Sequence, residues 1–186
     1  MKKKNIISLA GDLAAGKGTV SENLIKDLNY GIYRNGEYAR KLARDMGLDI
    51  TSFNVFLADH PEIDLQIEKG AAEYAQDHDN FIIDARLGWY AVPESFKVYL
   101  TVDIDVAAER AFNDSKRKST ESFDTVEEQK ADMIRRTSLE NERYWKLYHV
   151  RKDDMSNYDL VVDTTEQTPE QTAEIIEREY KKWLDE

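Results

Sequence analysis

No cysteine occurs in the 186 residues. That excludes a disulfide framework, a thiolate metal site and a cysteine nucleophile. Only 3 prolines and 8 glycines are present, so each marks a defined boundary, and no Pro/Gly-rich linker divides the chain. Long apolar runs are also missing. The longest, such as Ile6-Ile7-Ser8-Leu9-Ala10, are the size of a strand and cannot span a bilayer. The stretch after Met1-Lys2-Lys3-Lys4 is too short for the apolar region of a secretory leader. Positive charge is in deficit, with 26 Lys+Arg against 37 Asp+Glu and a net charge of −11. A nucleic-acid binder carries a basic face, so this balance argues against one. Together these absences suit a cytoplasmic protein without a membrane partner. Any anionic ligand must then be met by a local cluster of Lys and Arg.

The composition is that of an ordinary globular domain, 41% hydrophobic and 34% charged, and the length fits a single domain. Strand and helix patterns alternate. Strands are expected at Asn5–Ala10, Tyr30–Tyr33, Phe81–Asp84, Lys97–Thr101 and Asp159–Val162. Helices are expected at Gly16–Leu28, Glu37–Met46, Thr51–Leu57, Pro61–His78, Val106–Asn113, Thr125–Tyr148 and Pro169–Leu184. A polar interruption runs from Ser115 to Phe123. Such alternation implies an α/β fold in three layers, with a five-stranded parallel sheet between helices. In such sheets chemistry gathers beyond the carboxyl ends of the strands. The apolar stripe Ile175, Ile176, Tyr180 and Trp183 on the last helix is expected to pack on that sheet, consistent with a monomer.

The first strand runs into Gly11-Asp12-Leu13-Ala14-Ala15-Gly16-Lys17-Gly18-Thr19, and a helix follows. This is a phosphate-binding loop, G-x-x-x-x-G-K in its required strand–loop–helix context, with Gly18 before the hydroxyl residue Thr19. Backbone N–H groups at Gly11, Ala14, Ala15, Gly16, Lys17, Gly18 and Thr19 would cradle phosphate oxygens at a helix N-terminus. Lys17 would neutralise the β- and γ-phosphates, and Thr19 would join the shell of a Mg²⁺ ion. Asp12 is unfavourable beside phosphates unless it faces Mg²⁺, a hydroxyl or solvent.

Phosphoryl transfer needs cations around the phosphates and the acceptor. The candidates are Arg40, Arg86, the run Lys116-Arg117-Lys118, and Arg136 and Arg143, which share one face of a long helix. Taken singly, each also fits a solvated surface charge. Asp84 closes an apolar strand where a Mg²⁺- or acceptor-side carboxylate would stand, and it equally fits a strand-end turn. His60, His78 and His149 read as structural or exposed.

The chain resembles the cytidylate-kinase-like family, in particular its shorter archaeal-type branch. The resemblance rests on Gly11–Thr19, Gly36-Glu37-Tyr38-Ala39-Arg40, His60-Pro61-Glu62-Ile63-Asp64, Asp84-Ala85-Arg86-Leu87-Gly88-Trp89, Ala108-Glu109-Arg110, Glu142-Arg143-Tyr144 and Ser156-Asn157-Tyr158-Asp159-Leu160-Val161. It implies a P-loop NTPase domain and transfer of the ATP γ-phosphate to a pyrimidine nucleoside monophosphate, CMP or dCMP. By the same resemblance, residues 1–32, 80–112 and 124–186 form the core, 33–79 the monophosphate-binding part and 113–123 the lid. Arg40 and Arg86 look like acceptor-side arginines, with Asp84 near sugar, base or metal. Arg136 and Arg143 look like the pair embracing the moving phosphoryl, and Arg110 like the residue beside the donor adenine. Three departures stand out: Arg34-Asn35 where small hydroxyl residues are usual near the acceptor, Ala85 in place of Gly or Ser, and His149-Val150 in place of Gly-Ile. A kinase for another small metabolite and a nucleotide sensor without turnover remain alternatives.

Overall fold

The computed structural model describes residues 4–114 and 123–185. Its centre is β1 (Ile6–Gly11), buried along its whole length. With β2 (Gly31–Arg34), β3 (Phe81–Asp84), β4 (Phe96–Thr101) and β5 (Leu160–Asp163) it builds one parallel sheet in the order β2-β3-β1-β4-β5. Side chains alternate across each strand. Ile7 and Leu9 therefore join Ile82, Val98 and Leu100 on one face, covered by Val20 and Leu24 of α1 (Lys17–Leu28) and by Ala173, Ile176 and Tyr180 of α8 (Pro169–Asp185). The stripe on the last helix thus packs on the sheet, as its spacing predicts. On the opposite face Ile6, Phe81 and Ile83 meet Ala71 and Ala75 of α4 (Pro61–Asp77). Beside them Ala10 and Tyr99 meet Leu87, Trp89 of α5 (Gly88–Ala91) and Tyr144 of α7 (Val126–Tyr148). Burying each such large side chain stabilises by about 1.5–3 kcal/mol, so the sheet is a firm platform for its loops.

Between β2 and β3 the chain inserts α2 (Asn35–Asp45), α3 (Ile50–Asp59) and α4. Ala43, Phe53, Leu57 and Ile67 give this insert a small core of its own. Its helices begin where capping chemistry allows: Asp49 accepts from the Ser52 N–H, and Pro61 occupies the first turn of α4. After β4, α6 (Ile104–Asn113) opens on its cap Asp103, and α7 on Thr125.

Several strand ends differ from expectation by one residue, and tertiary pairing is the reason. Gly31 opposes Phe81, which shifts β2 to Gly31–Arg34. Asp159 spends its carboxylate on the Lys97 N–H at 2.8 Å, so β5 starts one residue later. The short α5 and a 3-10 turn at Met155–Asn157 were not expected, since elements this brief carry no period. His149 ends α7 in the left-handed conformation (φ 56), the position where glycine is usual. The expected lid, 113–123, falls largely outside the described residues, as do Lys116, Arg117 and Lys118. Among the described residues no helix is long and apolar enough to cross a membrane.

Gly11 is needed for closeness. A Cβ there would lie 2.6 Å from the Leu100 carbonyl oxygen and 2.9 Å from the Leu100 Cβ. Gly11→Ala is expected to destabilise by about 1–3 kcal/mol through overpacking, read as a lower urea midpoint at unchanged m-value.

Candidate phosphoryl-transfer site

The loop after β1 turns through two left-handed residues, Ala14 (φ 62) and Gly16 (φ 82). Gly16 is the N-cap of α1 and brings no side-chain acceptor. The N–H groups of the first turn therefore lack both intrahelical and capping partners, and they converge with the helix dipole on one spot. That is a ready anion cradle. Asp12 does not intrude on it. Its Oδ1 accepts from the Tyr99 hydroxyl at 2.7 Å and its Oδ2 from the Val102 N–H at 3.2 Å. Of the three settings that suit a carboxylate here, the structure uses the hydroxyl, and Asp12 ties the loop to the end of β4.

Lys17 opens α1 beside Asp84, the last residue of β3, so two of the expected site residues come together. Burial lowers the Lys17 ammonium to about 8. The Asp84 charge opposes that shift, and Arg86 and Lys152 add to it. An ammonium so placed lacks a fully compensating anion, and an added phosphate would supply one. We expect kcat/KM for ATP to fall as pH rises through about 8, because the free protein then loses the Lys17 proton. The pH profile of kcat, which reports the complex, should break at higher pH because bound phosphates hold that proton. A pH-independent kcat/KM up to pH 9 would contradict this.

Arg86 follows β3 and is fixed by Glu140 of α7, its Nε 2.9 Å from Oε1. The other oxygen of Glu140 takes the ammonium of Lys152, and both residues are fully buried. Burial would push the Glu140 carboxyl up, but Arg86 and Lys152 outweigh it and hold it at about 2. Glu140 thus stays ionised as the counter-charge of two cations. Nη1 of Arg86 is buried and makes no hydrogen bond.

Arg136 and Arg143 lie on the inner face of α7, 6% and 7% exposed. The reading of a solvated helix face fails for both. Arg143 binds Asp64 of α4 at 2.6 Å and Asn54 of α3 at 3.3 Å, linking α7 to the insert. Arg136 lies 3.8 Å from Asp132 of its own helix. Arg110 donates to the carbonyls of Thr164 (2.8 Å) and Thr165 (3.0 Å), joining α6 to the loop beyond β5. Arg40 is exposed and packs over Gly36. Arg34 is held by Glu22 at 3.1 Å and Glu37 at 3.4 Å. Thr19 is exposed on the first turn of α1. The structure therefore gathers Lys17, Asp84 and Arg86 around the loop, brings Arg136 and Arg143 to the inner face of α7, and leaves Arg34, Arg40 and Arg110 on separate edges.

Sequence reasoning did not single out Glu140, Lys152 or Glu68 as site residues, and met Asp64 only as part of the His60–Asp64 motif. No local pattern marks them, since acidic and basic residues at helical spacing usually face solvent. The histidines read as structural or exposed, and His78 and His149 are exposed. His60 stacks on Phe56 and His78 on Tyr74, each with centroids 3.8 Å apart, and His149 caps α7.

Residues 7–134 match the family described as AAA domain. Its nucleotide-binding loop, on this sheet order, defines the class: the protein is an ATP-dependent phosphotransferase of the P-loop kinase type. The chain is 33% identical to the cytidylate kinase of Thermoplasma volcanium, over 91% of this chain and 88% of that one. It is also 33% identical to that of Thermoplasma acidophilum, over 91% and 89%. It belongs to the cytidylate kinase-like family. A shikimate kinase from Acinetobacter baumannii is similar in fold (TM-score 0.59, 14% identity, 97% of this chain and 95% of that one).

Proposed function

We propose that the protein transfers the γ-phosphate of ATP to a pyrimidine nucleoside monophosphate, CMP or dCMP. The observation that carries this reading is the gathering of the half-buried Lys17 and Arg86 beyond the carboxyl ends of β1 and β3, with the buried Glu140, Arg136 and Arg143 on the inner face of α7. ATP lies with its phosphates in the Gly11–Thr19 loop, and Lys17 bridges the β- and γ-oxygens. Arg110 stands beside the donor adenine. The insert, 33–79, receives the acceptor, whose phosphate meets Arg40 and Arg86, with Arg34 at the rim. An acceptor phosphate is already anionic, so no general base is needed. Arg136 and Arg143 counter the charge of the moving phosphoryl. Thr19, on the first turn of α1, and Asp84, whose charge acts on Lys17, are hard oxygen donors that would hold Mg²⁺ together with water and phosphate. Bound there, Mg²⁺ would neutralise phosphate charge. The similarity to cytidylate kinases supports the acceptor class, and the protein acts as a cytoplasmic monomer.

The test is ADP formation from ATP and Mg²⁺ with CMP, dCMP, UMP, AMP, GMP, shikimate or no acceptor. Turnover concentrated on CMP or dCMP is expected. Silence on every nucleotide, with ATP binding intact, would overturn the reading in favour of another metabolite or a sensor.

A further inference from the structure

Asn35 and Glu68 are two buried polar residues that the transfer chemistry does not use. Asn35 opens α2 directly after Arg34, whose strand partner is Asp84. It therefore stands at the carboxyl edge of the sheet, level with Ala85. It is 5% exposed, and its Nδ2 donates to Glu68 Oε2 at 3.1 Å. Its Oδ1 is buried with no hydrogen-bond partner. Glu68 lies one turn beyond Asp64 on α4, 7% exposed, within the fields of Arg143 and Arg86. Its second oxygen takes part in no hydrogen bond among the described residues. Buried polar atoms are nearly always paired, and one left open at a ligand-facing edge points to a partner that arrives with the ligand.

We infer that Asn35 and Glu68 read the edge of the acceptor's base and favour one with an exocyclic amino group beside an unprotonated ring nitrogen. This rests on the nucleoside monophosphate kinase reading above. One N–H of the Asn35 amide goes to Glu68, which sets the orientation of the amide and leaves its Oδ1, an acceptor, open. It matches an amino N–H of the base. Uracil would set a carbonyl oxygen against it, leaving two acceptors face to face. Glu68 supplies the second contact. Burial raises its carboxyl to about 8, Asp64 and Glu140 push the same way, and Arg143 and Arg86 oppose. At neutral pH it keeps its proton and can donate to the ring nitrogen. Cytosine satisfies both groups. Adenine carries the same pair of atoms, so only the space for a second ring separates CMP from AMP.

The experiment measures kcat and KM of the full-length protein for CMP, UMP and AMP at saturating ATP. Wild type is compared with Asn35→Leu, Glu68→Leu and Glu68→Gln. Asn35→Leu should narrow the CMP-over-UMP ratio of kcat/KM by about tenfold or more, the discrimination typical of a lost bidentate base contact. Glu68→Leu should raise KM for CMP about tenfold while leaving KM for ATP close to wild type. Glu68→Gln, whose amide offers the same donor and acceptor as a neutral carboxyl, should recover most of that loss. Asn35→Ala replaces Asn35→Leu if the latter does not fold. An unchanged CMP-over-UMP ratio in an active protein would make this pair a structural tie between α2 and α4 and overturn the inference alone. A wild type silent on all three nucleotides would overturn the kinase reading and this inference with it.

Discussion

Glu140→Ala is expected to lower the unfolding free energy by about 3–5 kcal/mol, the usual cost of removing one partner from a buried ion pair. Two cations depend on this carboxylate, Arg86 at 2.9 Å and the fully buried Lys152. The loss of attraction is the smaller part of the effect. What dominates is the desolvation of a guanidinium and an ammonium left without a counter-charge, which neither can escape by reaching water. Lys152→Met should cost less, since Glu140 then keeps Arg86. The pH dependence has a definite sign. The folded carboxyl sits at about 2, below the ordinary 4.5 of a glutamate, so its contribution is complete above about 4.5 and is lost as pH falls toward 2. Urea melts of wild type and Glu140→Ala should therefore differ most at neutral pH and converge near pH 2. Equal midpoints at pH 7 would contradict the assignment. Activity should fall as well, because Arg86 loses the anchor that aims it.

Lys17→Met should remove about 10²–10³ of kcat, the effect of deleting one preorganised donor at a developing charge. Stability should move the other way. Burial depresses the Lys17 ammonium to about 8, so below that pH the folded state bears a charge it disfavours relative to the unfolded chain. Replacing it with an apolar side chain of similar length relieves that cost, and the Tm at pH 7 should rise. The two readouts together separate a site held at the expense of stability from a merely structural lysine. A variant that lost activity and stability in step would place Lys17 in the fold rather than in the chemistry.

The phosphate loop was legible because its signal is local. Glycine at position 16, lysine next to it and a preceding apolar strand are adjacent in the chain, and backbone geometry follows from them directly. The five strands and the long helices were legible for the same reason, since hydrophobic period is a short-range property. Arg86 was placed by rule, as the residue just past a parallel strand. Glu140, Lys152, Asp64 and Glu68 were not legible as site residues. Each sits in a charged stretch of helix or loop whose pattern is that of a solvated surface, and what buries them is the approach of α7 to the inserted helices.

The sequence by itself determined a parallel α/β sheet, the anion cradle at its first strand and the identity of the cations available to it. Those follow from residues within one or two turns of each other. Only the tertiary structure decided which carboxylate holds which cation, that Asp12 faces Tyr99 rather than the phosphates, and that Asn35 keeps an open acceptor. These outcomes turn on desolvation and on partners 12 to 89 residues apart in the chain, and both exist only once the helices have closed over the sheet.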